Sequence, residues 1–159
     1  MFELIVKMGI SSFLASLGFG ILFNIKGNKL ILAGVAGAIG GVLYKASLYV
    51  GISEIYANFI GAIGLALCSE ILARICKTPV TTFIVCALIP LVPGGGMYRM
   101  MLEAIQGNVD GALSIGLTTL QIAGVLALGV LVVSTLTQFY LRYEKKLGMF
   151  RIDDNFNNL

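Results

Sequence analysis

Ile89-Pro90-Leu91-Val92-Pro93-Gly94-Gly95-Gly96 ends an apolar run that opens near Val80 and reads TTFIVCALIPLVP from Thr81. Pro90 removes a backbone donor and its ring crowds the preceding turn. Pro93 does the same, and three glycines then free the backbone. A helix from Val80 to Val92 rises only about 20 Å, whereas the hydrocarbon of a bilayer is about 30 Å thick. What flanks the run decides whether it is a core helix or a membrane span cut short.

On either side lie runs long enough to cross a membrane. Ile5 to Ile25, Leu30 to Val50 and Ile55 to Ile75 precede it, and Gly111 to Tyr140 follows. A crossing takes about 20 predominantly apolar residues. The last run exceeds that, which predicts tilt or extension into the interface. Hydrophobic residues make up 58% of the chain and charged residues 12%, against about 45–50% and 25% in soluble domains. The apolar excess needs lipid as its solvent. The predicted fold is all-α: a polytopic membrane protein with five transmembrane helices. The fourth, residues 80–92, is broken by Pro and Gly, and a short helix over 97–106, MYRMMLEAIQ, follows it. The membrane domain takes in residues 1–141, and 142–159 form a cytoplasmic tail.

Charge gives the orientation. Lys26 and Lys29 follow the first span, Arg74 and Lys77 close the third, and Arg142, Lys145, Lys146 and Arg151 follow the fifth. With five spans these groups share one side. The opposite side carries Glu3, Glu54, Glu103 and Asp110 with Lys7, Lys45 and Arg99. The N-terminus is therefore expected outside and the C-terminus inside, in a cytoplasmic membrane. Residues 1–25 are not expected to be a cleaved signal, because Glu3 offsets Lys7 and further apolar runs follow.

Small residues recur at four-residue spacing: Ser12, Ser16, Gly20; Ala33, Gly37, Gly41; Ala57, Gly61. Such rows let helix backbones approach closely, within the chain or against another subunit. Cys68, Cys76 and Cys86 are odd in number and lie in or beside apolar runs, as packing residues do. The chain has no histidine, which excludes His-based catalysis and the usual His metal sites. No paired aspartates, nucleophile–base pair or metal cluster marks an enzyme, and the triple glycine lacks the Lys and Ser/Thr of a P-loop. A net charge of +3 is too small to argue for nucleic acid. No cofactor is expected.

Unpaired backbone groups at membrane depth are tolerated where protein buries them or a watery cavity meets them. The break therefore points to a cavity at Pro90 and Pro93. If a helix starts at Met97, its free amides and those of Gly94, Gly95 and Gly96 face an anion, with Arg99 adding charge. A substrate carboxylate suits that position; a plain Pro-Gly turn at the surface is the simpler reading. Glu70 has Arg74 four residues on, so it is either a local ion pair or a proton-coupling carboxylate. Lys45 either snorkels to the headgroups or serves the pathway. Tyr44, Asn58 and Gln121 are further pathway candidates. Asn24 is expected to cap the first span, and Arg99 and Glu103 sit at pairing distance on one helix face.

Lys77-Thr78-Pro79-Val80-Thr81-Thr82-Phe83, running into Ile89-Pro90-Leu91-Val92-Pro93-Gly94, resembles the threonine/serine exporter family at its short integral-membrane subunit. Gly18-Phe19, Phe23-Asn24 and Tyr98 fit the same pattern, and the similarity covers nearly the whole chain. Members of that family exist as one long chain or as two separate ones, and this chain resembles the second half. The resemblance implies a partner subunit of the first-half type. It also implies export of small amino acids, or in some split members of a dicarboxylate such as succinate. It supplies no substrate-contact residues, so the site rests on the physical argument. The expected function is a membrane subunit of a secondary exporter. The alternative is a structural or assembly subunit whose partner carries the substrate site.

Overall fold

A computed structural model describes the backbone of residues 2–156 and the side chains of residues 3–143. The side chains of Lys145, Lys146 and Arg151, and tail residues 157–159, lie outside the described residues. All regular structure among the described residues is helical: α1 (Phe2–Leu22), α2 (Asn28–Tyr49), α3 (Glu54–Ile75), α4 (Thr81–Leu88), α5 (Gly94–Ile105) and α6 (Val109–Phe156). A 3-10 turn, Ile89–Leu91, prolongs α4. Four helices are long and apolar enough to cross a bilayer: α1, α2, α3 and α6 over Val109–Tyr143. The pair Thr81–Leu91 and Gly94–Ile105 meets the same test only together, bent by 49°, which brings the total to up to five. α6 runs on without interruption to Phe156, through residues that the sequence pattern gives to the tail.

The chain leaves its helices by one recurring device. After α1, Asn24 turns left-handed (φ 58°), its amide reaches Ile21 O and that of Ile25 reaches Gly20 O. Gly51 and Gly107 end α2 and α5 in the same way, where a positive φ suits glycine. Lys77 closes α3 with φ 47°, a strained choice for a residue with a side chain.

Small residues set the packing. Ser12 and Ser16 of α1 sit on Gly41 and Gly37 of α2, so that neither glycine has room for a Cβ. On its other side α2 meets α3, where a Cβ on Gly40 would lie 3.0 Å from Leu65. The rows read from the sequence thus pack within the chain at these two interfaces. Ala36, Ala62, Leu65, Ala66 and Ala87 form the buried centre. α6 rests on α3 and α5, with Gly129 against Ala62 and Phe59. Leu4, Ile10, Leu14, Leu120, Leu128 and Leu131 point outward, as a lipid solvent requires.

Candidate functional site

Leu91 lies against Gly61, seven residues into α3. The chain therefore reaches the break after covering only part of the depth of α3. Val92 is extended, and Pro93 (φ −77°, ψ 54°) makes a tight three-residue turn closed by Gly94 N–H to Val92 O at 2.7 Å. Gly94, Gly95 and Gly96 then form the first turn of α5. The sequence pattern expects this helix to start at Met97 and run over 97–106; it starts three residues earlier, at Gly94. Glycine tolerates a first turn, where no amide needs an intrahelical acceptor.

That shift corrects the amide cradle. The amide of Gly94 bonds Val92 O, and those of Gly96 and Met97 both reach Pro93 O at 3.1 Å. Only the Gly95 amide remains open. Arg99 lies one turn on and donates through Nε to Gly95 O at 3.3 Å. It does not pair with Glu103, whose Oε2 accepts from Asn108 Nδ2 at 2.7 Å. Glu103 is held because Asn108 also accepts the Gly111 amide at the start of α6.

The break opens into a cavity of about 410 Å³. Pro90, Pro93, Gly95, Gly96 and Arg99 line it from the broken segment, Tyr44 from α2 and Asn58 from α3. Gly94 does not line it. Lys45 lies in a separate recess with Leu4, Ile5, Leu48 and Tyr49. Glu70 is 8% exposed and approaches Arg74 at 3.6 Å, away from the cavity. Gln121 is exposed on the outer side of α6, next to Ile122, which does line the cavity.

Several lining residues escaped the sequence reading. Glu54 at the head of α3 and Ser114, Thr118 and Thr119 on α6 all border the cavity. The polar pair at 114 and 118, one turn apart in an apolar run, was the available signal. Asn58 Nδ2 donates to Glu54 O at 2.8 Å, Thr118 Oγ1 to Ser114 O at 3.1 Å, and Thr119 Oγ1 to Ile115 O at 2.7 Å. The Thr118 and Thr119 hydroxyl donors are held by their own helix, so these groups meet a ligand as acceptors, whereas Asn58 keeps its carbonyl oxygen and a second N–H. The donors left on the cavity wall are the Gly95 amide, the remaining guanidinium N–H groups of Arg99, the second Asn58 N–H and the hydroxyls of Tyr44 and Ser114. The Glu54 carboxylate has no ion-pair partner among the described residues. The cavity thus presents a cationic group, an anionic group and neutral donors and acceptors, a combination that fits a small polar solute.

No solved structure matches the chain. A protein of Haemophilus influenzae, described only as uncharacterized, is 28% identical over 96 residues; the match takes in 57% of this chain and 31% of that protein. The sequence model of the family described as "Threonine/Serine exporter, ThrE" matches residues 8–136, which include every residue lining the cavity. That span holds α2 to α5 whole and most of α1, and with them the broken segment on which the resemblance rests. The chain belongs to the threonine/serine exporter family.

Proposed function

We propose that the chain is the membrane subunit of a secondary exporter of small carboxylate-bearing metabolites, working with a separate partner subunit of the first-half type. Threonine and serine are the first substrates on this reading, and a dicarboxylate such as succinate the second. The chain crosses the cytoplasmic membrane five times, with α4 and α5 as one broken span, the N-terminus outside and the C-terminus inside.

The observation that carries the reading is the cavity at the break, with Arg99 and Glu54 both on its wall. A substrate carboxylate accepts from Arg99 and from the Gly95 amide at the start of α5. An ammonium group donates to Glu54 and to the open acceptors of Asn58, Thr118 and Thr119. One charge of each sign suits a zwitterion better than a dianion, which places the amino acids ahead of succinate. Glu70, buried and only loosely paired with Arg74, is the carboxylate assigned to coupling with the proton gradient. Lys45 and Gln121 lie outside the cavity and take no part.

Export of threonine and of succinate from cells co-expressing the chain with its partner tests this. A Cβ added at Gly95 meets nothing within 4 Å, so Gly95→Val fills the cavity without disturbing the fold and should abolish export. Glu54→Gln should raise the KM for threonine about tenfold and leave succinate unaffected. Threonine export by Gly95→Val at the normal rate and normal expression sinks the site. Arg99→Gln that loses the partner on purification, with substrate preference unchanged, points instead to an assembly subunit.

A further inference from the structure

A second cavity, of about 730 Å³, opens at the other end of the bundle. It lies between the α1–α2 connection and the start of α4 and is lined by Asn24, Lys26, Lys29, Thr78, Thr81 and Thr82, with Cys86 at its floor. Its wall has no acidic residue. The ion pairs among the described residues are Lys7–Glu3 and Arg74–Glu70, so neither Lys26 nor Lys29 has a carboxylate partner among those residues.

The helix ends sharpen the imbalance. α1, α3 and α6 begin at the opposite end and carry Glu3, Glu54 and Asp110 in their first turns, where an acid offsets the partial positive charge of the helix dipole. α2 and α4 begin at this end and carry none. α2 instead has Lys29 in its first turn, an unfavourable place for a cation. Positive-inside retention accounts for lysines on this side, but not for two of them gathered at one acid-free cavity. Gly27 brings them there: its φ of 67° turns the chain sharply between Lys26 and Lys29.

The segment Thr81–Leu91 walls both cavities. Thr81, Thr82, Val85 and Cys86 face this one, and Pro90 and Leu91 face the cavity at the break. Between them Phe83 and Ala87 are fully buried, with the Ala87 Cα close against Gly37. The two cavities are separate chambers at the two ends of one short helix.

We propose that this second cavity is a carboxylate-binding vestibule, in which Lys26 and Lys29, with the hydroxyls of Thr81 and Thr82, hold the anionic group of the substrate before it passes α4 to the chamber at the break. Its place on a transport path rests on the exporter reading; the anion site itself does not.

The test uses purified protein, with whatever subunit co-purifies, and succinate as the probe anion. In an Arg99→Gln background, which removes the cation of the outer chamber, succinate should still raise the unfolding temperature. Adding Lys26→Gln and Lys29→Gln should weaken the apparent affinity about tenfold or more, while Lys26→Arg with Lys29→Arg should retain it. Unfolding temperatures without succinate check that each variant folds. An equal succinate response with and without the lysines overturns the proposal, as does loss of all response in Arg99→Gln alone. Anionic phospholipid that co-purifies with the wild type and is lost with the lysines, while the succinate response stays unchanged, overturns it in favour of a lipid headgroup. Export is read separately in cells. Lysine-dependent binding without export of threonine or succinate keeps the vestibule and removes the exporter reading; intact export without lysine-dependent binding does the reverse.

Discussion

Ser16 is fully buried against Gly37, and its hydroxyl finds no partner. Ser12 repeats the arrangement one turn earlier against Gly41. A buried hydroxyl without a partner costs about 1–3 kcal/mol, so small size and not polarity is what these positions require. Ser16→Ala is expected to raise stability by about 1 kcal/mol, read as a higher unfolding temperature in detergent. Gly37→Val should do the opposite. Its Cβ meets Ser16 and comes within 3.4 Å of the Ala87 backbone, and overpacking of this kind costs about 1–3 kcal/mol. Because Ala87 belongs to the partition between the two chambers, the same change should also reduce export. The spacing of Ser12 and Ser16 with Gly37 and Gly41 was legible in the sequence. Which row meets which was not, because each helix carries small residues on more than one face.

At the scale of elements, the break and the helix after it separate what local sequence can say from what it cannot. Two prolines three residues apart dictate an interruption wherever they fall, so Pro90 and Pro93 could be read directly. The start of α5 could not. Three glycines suggest loose chain, yet the turn at Pro93 delivers them into helical geometry and uses three of the four amides expected to face a ligand. The inward face of α6 was also hidden: the helix is apolar nearly all round, so periodicity names no side. Gln121 stood out as polar and proves to be exposed; Thr118 and Thr119, less conspicuous, line the chamber. Pro93→Ala is expected to let α4 and α5 approach one continuous helix. The protein should then be as stable as the wild type or more so, since a helix-breaking residue is gone, and export should fall by tenfold or more as the chamber closes. Equal loss of export and of stability would mean that the variant had merely misfolded. Lys77→Gly, at the left-handed end of α3, should add about 1 kcal/mol, measured by the same unfolding assay.

At the scale of the whole molecule, the charges sort by end. α1, α3 and α6 start with acids, α2 and α4 start without them, and Lys26, Lys29 and Lys77 gather where α2 and α4 begin. The expected outcome is that a fluorescent fusion at the C-terminus lights up in the cytoplasm, while an alkaline phosphatase fusion in the loop around Gly51 is active outside. The reverse pattern would exchange the roles given to the two chambers. The membrane class was legible from composition, since no soluble domain needs so much apolar surface, and the helical fold from the length of the apolar runs. The division into two chambers was not, because it depends on four segments distant in sequence meeting around one short helix.

The hydrogen bonds and ion pairs described above share a further trait. Asn58, Thr118, Thr119, Arg99, Glu70 and Glu3 each bond within their own helix, and Glu103 bonds across the turn that joins two. None of them latches α4 to α1, α2 or α3. Those contacts are made by aliphatic side chains, glycine backbone, the Cys86 thiol and one phenyl ring, Phe83. An interface of that kind is held by shape, and a rearrangement of α4 would trade one set of van der Waals contacts for another without stranding a polar group in lipid. The short broken helix is thus held by shape alone, with a chamber at each of its ends.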